Sequence, residues 1–113
     1  MEHNTTTKYR EIAATATQIW TDRARNEAAH AKEARQEHNA QKARNHATEA
    51  AKAAWNAELA AIASHKDDAH NAVIAAREYA EVAKEAAERA EAEDRWKEGQ
   101  ALLESILHEA TKE

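Results

Sequence analysis

From residue 40 onward alanine recurs at alternating steps of three and four: Ala40, Ala43, Ala47, Ala50, Ala54, Ala57 and Ala61. That spacing keeps one narrow apolar stripe on a single side of a helix with 3.6 residues per turn. A second stripe, Ala69, Val73, Ala76, Ala80, Ala83, Ala87 and Ala90, repeats the rhythm. Between the two lies ASHKDDAHNA, residues 63–72, where Ser64, Asp67, Asp68 and Asn71 offer short polar side chains that favour caps and turns. A reversal near residues 64–67, with Asp67 or Asp68 as the new N-cap, brings the stripes face to face. Ala61 then meets Ala69, Ala54 meets Ala76 and Ala40 meets Ala90, each pair of numbers summing to 130. Every layer joins an a position to a d position, as antiparallel helices require.

The pattern therefore predicts an all-α chain, a long antiparallel Ala-rich coiled-coil hairpin. One helix covers about 6–64, the turn about 64–67 and a second helix about 68–112, with Gly99 marking a place where that helix can be interrupted. The same register brings Arg44 near Glu91 and Glu58 near Arg77, and further from the turn it sets Glu33 opposite Lys97 and Ala31 opposite Gly99. Beyond these, Tyr9, Ile12, Ala16, Ile19 and Trp20 are expected to join Leu102, Leu103, Ile106, Leu107 and Ala110 in a bulkier base. The competing arrangement breaks the chain at Gln36 to Asn39 and again at Gly99, giving a compact three- or four-helix bundle.

Composition supports helices and a thin body. The 113 residues include no proline and one glycine, and the hydrophobic 42% is mostly alanine, with aromatics at only 4%. Such a chain forms helices readily but cannot fill a thick core. No cysteine is present, which removes disulfides and thiolate chemistry. The opening MEHNTTTKYR lacks the apolar run of a signal peptide, and no stretch approaches the roughly 18–20 apolar residues of a membrane span. No compartment is indicated.

The formal net charge is -5, which argues against nucleic acid as a default partner. Residues 8–64 hold nine Lys/Arg and seven Asp/Glu, whereas residues 67–113 hold six and thirteen. Opposite bias in two adjacent halves fits segments that lie side by side. A basic track of Arg23, Arg25, Lys32, Arg35, Lys42 and Arg44 carries the alternative of a nucleic-acid-binding bundle, although Glu27, Glu33 and Glu37 interrupt it.

Candidate chemistry is sparse. His65, Asp67, Asp68 and His70 at the turn would hold a metal if the loop converged, but turns also collect Asp and His as caps and solvated groups. Glu27 and His30 have the i,i+3 spacing of di-iron bundles, yet the opposing segment offers only Glu104 and His108. Ser64 and Ser105 are the sole serines, and a single glycine rules out a Gly-rich phosphate loop. These gaps lead to the expectation of a non-enzymatic chain with no cofactor.

What is left over is apolar. Trp55, Leu59 and Ile62 fall on the helix face away from the alanine stripe, and Ala72, Ala75, Tyr79, Val82 and Ala86 form a related stripe on the second helix. An outer apolar patch on a hairpin implies a partner. The expected role is a structural or protein-interaction module that presents its turn or its outer stripe to a protein partner, or to a second copy in a homodimeric four-helix bundle. The alternative is a small metal- or nucleic-acid-binding bundle.

Overall fold

The structure, a computed structural model, describes residues 2–112, with side chains from residue 6 onward. Three helices follow one another, α1 (Glu2–Gln36), α2 (Ala40–Ser64) and α3 (Asp67–Thr111), with no strand among the described residues.

The hairpin of α2 and α3 forms where the mirrored stripes place it. Ala43, Ala47, Ala50, Ala54 and Ala57 of α2 and Ala69, Val73, Ala76, Ala83, Ala87 and Ala90 of α3 are buried, while Ala40 and Ala61 at the ends of the α2 stripe and Ala80 in the middle of the α3 stripe are half-buried. Both expected cross-hairpin ion pairs are present. Arg44 donates from Nε and a terminal nitrogen to the two Glu91 carboxylate oxygens at 2.8 Å each, and Arg77 pairs with Glu58. The Arg44 hydrogen bonds hold the Glu91 carboxyl below its ordinary range, and Glu91 in turn raises the guanidinium.

The α2–α3 turn is built on His65 in the left-handed conformation, φ 54°. Buried Ser64 supports it: its hydroxyl donates to the Ala61 carbonyl at 2.7 Å and accepts from the Lys66 N–H at 3.3 Å. Lys66, not Asp67 or Asp68, occupies the N-cap position of α3 and makes no side-chain cap bond. The two aspartates sit one step later in the first turn, where their charge opposes the positive end of the helix dipole.

The expected single helix from 6 to 64 is divided at Glu37, His38 and Asn39. His38 adopts φ 59°, the Asn39 N–H bonds to the Ala34 carbonyl at 2.9 Å, and the His38 N–H bonds to the Arg35 carbonyl at 3.0 Å. These two bonds are the Schellman pattern that ends a helix, here with histidine where glycine is usual. Asn39 starts α2 at once, its side-chain oxygen accepting from the Lys42 N–H at 3.0 Å.

Because the chain reverses here, α1 returns along α2 and lies parallel to α3 as a third helix. Ala31 packs with Ala43 in one cluster instead of meeting Gly99, Arg35 reaches Glu93 at 3.0 Å, and no Glu33–Lys97 pair forms among the described residues. A second mirror relation governs this pair. Ala34 with Ala40, Ala31 with Ala43 and Ala24 with Ala50 all sum to 74.

The buried apolar residues among those described are Val73 and otherwise alanines. Buried Thr17 and Thr21 interrupt the methyl lining of α1, and each hydroxyl donates to the carbonyl four residues earlier, at 2.9 and 2.8 Å. Thr21 also lies 3.2 Å from the Ala72 carbonyl of α3.

The three helices are staggered. The rod measures 88 × 17 × 15 Å, longer than the roughly 68 Å of α3 alone at 1.5 Å per residue. The difference arises because α1 runs past the α2–α3 turn at one end, while α3 runs past the α1–α2 turn at the other. Trp96, Leu102, Leu103, Ile106 and Leu107 are exposed on the projecting end of α3, while Tyr9, Ile12 and Ile19 are exposed on the outward face of α1 near the opposite end, beside buried Ala13 and Thr17, so the expected shared base does not form. α3 passes through Gly99 without a break.

Two measurements check this packing. Ala50 and Ala83 are fully buried, so Ala50→Leu or Ala83→Leu should each lower stability by about 1–3 kcal/mol in chemical denaturation. Since His38 and His65 both hold a positive φ, His38→Gly and His65→Gly should each raise stability by about 0.5–1 kcal/mol, read as a higher Tm.

Candidate functional site

The outer stripe of α2 stays uncovered. Trp55, Leu59 and Ile62 are 61%, 49% and 65% exposed. Trp55 stands at the rim of an open groove between α2 and α3, about 510 Å³, floored by Ala47, Ala51, Ala54 and Ala80 and flanked by Arg44, Glu58, Arg77 and Lys84. The corresponding stripe of α3 has a different fate. Tyr79 and Val82 are half-buried and pack against the alanine clusters that include Ala24, Ala28 and Ala31, so α1 occupies the place expected for an outside partner.

The turn residues do not assemble. His65, Asp67, Asp68 and His70 are all exposed, and among the described residues the group of three or more potential metal ligands that converges lies elsewhere. That group is Glu27, His30 and His46, whose ligand atoms lie within 4.8 Å of one another. Glu27 and His30 share a face of α1, one turn apart, and the α1–α2 reversal brings His46 to them from α2. His46 Nδ1 lies 2.5 Å from a Glu27 carboxylate oxygen, and the two imidazole centroids are 5.1 Å apart with planes at 56°. The side chains of His46 and Glu27 are only 24% and 14% exposed. In the 74-sum register Glu27 stands opposite Ala47, where the neighbouring layers place an alanine. Glu104 and His108, the partners that a simple hairpin would supply, lie instead on the exposed end of α3.

The third feature is that end itself. Beyond Glu93, the last α3 residue paired with α1, the helix continues as a single strut carrying Trp96, Leu102, Leu103, Ile106 and Leu107, all more than half exposed. Leu103 stands sixteen residues past Ala87 and twenty past Ala83, which at about 100° per residue is roughly 160° and 200° round the helix. The tail stripe thus faces away from the side of α3 that meets α1 and α2. It is no continuation of the bundle core.

No helix is long and apolar enough to cross a membrane among the described residues. Comparison with protein-family models, curated proteins and solved structures yields no match.

Because Trp55 and Leu59 contribute little to the internal packing, Trp55→Ala combined with Leu59→Ala should leave helicity by circular dichroism unchanged and move stability by no more than about 0.5 kcal/mol. A collapse of the fold would place the stripe inside the core.

Proposed function

We propose that the chain is a non-enzymatic structural and interaction module, a helical rod that pairs end to end with a second copy through the tail of α3. The observation that carries this reading is the self-complementarity of the exposed stripe. Gly99, Leu102, Leu103, Ile106, Leu107 and Ala110 are placed symmetrically about the middle of Glu104–Ser105. In an antiparallel pair of tails, Leu103 of one copy meets Ile106 of the other, Leu102 meets Leu107 and Gly99 meets Ala110, each couple summing to 209. With Leu103 at an a position and Ile106 at d, the Leu103–Ile106 and Gly99–Ala110 layers are a–d′ pairs of an antiparallel coiled coil, and Leu102 at g and Leu107 at e flank them. A two-fold axis relates the copies, which is the commonest oligomer symmetry.

The flanking charges tolerate this register. Glu104 faces Ser105 and Glu109 faces Gln100, so no carboxylate opposes another across the layers. Thr111 of one copy comes opposite Glu98 of the other, and Lys112 opposite Lys97 is a like-charge couple at the exposed limit of the overlap, just past Trp96. The overlap therefore spans the part of α3 that projects beyond the bundle. Burial of each Leu or Ile contributes about 1.5–3 kcal/mol before the cost of association. The α2–α3 groove beside Trp55 is a second surface of the same kind, open to another helix.

Sedimentation equilibrium tests the pairing. The parent should show a concentration-dependent dimer, and Leu103→Glu with Ile106→Glu should be monomeric with unchanged helicity, while Tyr9→Glu with Ile12→Glu at the other end remains dimeric. The chain lacks cysteine, so mixing Leu103→Cys with Ile106→Cys under mild oxidation should yield the mixed disulfide in preference to either self-linked product. A parent that is monomeric throughout, or a dimer that survives the two tail glutamates, overturns the reading.

A further inference from the structure

We infer that Glu27, His30 and His46 form a binding site for a divalent transition-metal ion, Zn2+ being the best fit. Three features of the cluster carry this, and none depends on the tail pairing.

First, the donor set has the chemistry. Two imidazoles and one carboxylate are the ligands that intermediate metals such as zinc, nickel and copper take, whereas magnesium and calcium favour an all-oxygen shell. Second, the geometry is close to what an ion needs. Donors around a tetrahedral zinc with bonds of about 2.0–2.1 Å stand roughly 3.3 Å apart. Here the ligand atoms already fall within 4.8 Å, and the shortest separation, Glu27 to His46, is 2.5 Å. Binding would draw His30 inward and open the Glu27–His46 contact by side-chain rotation. His30 is exposed, so it is free to turn, and it leaves the fourth position open to water.

Third, Glu27 is placed against the logic of the packing. Its carboxylate is largely withdrawn from solvent in an alanine layer, and among the described ion pairs its partner is His46 alone, with no Lys or Arg against it. A carboxylate in that position is costly unless a positive charge meets it. A bound divalent ion supplies that charge, and because the ligands come from both α1 and α2 it also ties the first helix to the hairpin. Metal binding then adds to fold stability by linkage.

The test uses the whole chain and zinc chloride. Calorimetric titration should show one Zn2+ per chain, and the Tm should rise with zinc and return to its starting value with EDTA. His30→Ala and His46→Ala should each weaken the affinity at least about tenfold, and Glu27→Gln should weaken it as well. His65→Ala combined with His70→Ala should bind as the parent does. In the unsubstituted protein, imidazole nitrogen resonances of His30 and His46 should shift on zinc addition while those of His65 and His70 stay in place, a readout that holds even if a variant folds poorly. Absence of saturable binding, or binding that survives His30→Ala with His46→Ala, or shifts centred on His65 and His70, overturns the inference.

Discussion

Close approach of helices lined with methyl groups is the constraint from which the rest of the structure follows. A core made of Val73 and alanines offers little apolar area per residue, about 0.8 kcal/mol for each buried methyl. It also immobilises no rotamers, since alanine has none to lose. Stability therefore has to come from length and from surrounding each helix with two neighbours. That is why a hairpin alone is not the end state, and why the cross-section is only 17 × 15 Å. The same narrow spacing keeps large side chains out of the buried layers: every leucine and isoleucine, with Trp55 and Trp96, lies on an outer face or a projecting end, and Trp20 and Tyr79 pack only at the edge of the core.

The α2–α3 hairpin was legible because both stripes are nearly pure alanine and mirror each other about a turn rich in Ser and Asp. The α1–α2 reversal obeys the same mirror rule, but its signal was masked. Thr17, Trp20 and Glu27 replace alanine in the α1 stripe, and the helix stop is a histidine in a left-handed conformation, where a glycine would have announced it. Asn39 does cap α2, yet Lys42 stands where a capping box would have Glu. The break at Gln36 to Asn39 belongs to the competing bundle reading, and the single long helix that the hairpin reading draws through it has local consequences. Glu27 and His30 were visible as a pair, but His46 could not be recognised as their neighbour without the fold. The bulky residues near both ends looked like one base because two passes would bring the ends together.

Departures from alanine in the packed layers are informative for the same reason. Thr17, Thr21 and Ser64 each donate to a carbonyl of their own helix, and Thr21 also reaches the Ala72 carbonyl of α3, which explains how polar atoms are accommodated in so thin a core. Glu27 is different in kind, because the described contact of its carboxylate crosses the interface to His46. Side chains that keep their bonds local make no demand on a partner helix, whereas this one fixes how α1 sits on α2.

An odd number of passes also decides where the ends of the rod point. Glu2 opens α1 at one pole and Thr111 closes α3 at the other, so groups joined to the two helix ends would stand on the order of the full 88 Å apart. A two-pass hairpin would have set them side by side. Mechanically, the molecule is a strut that transmits separation along its axis. A pull between its ends shears α1 against α3 and α2, so the packed alanine faces carry the load before either histidine-centred reversal does.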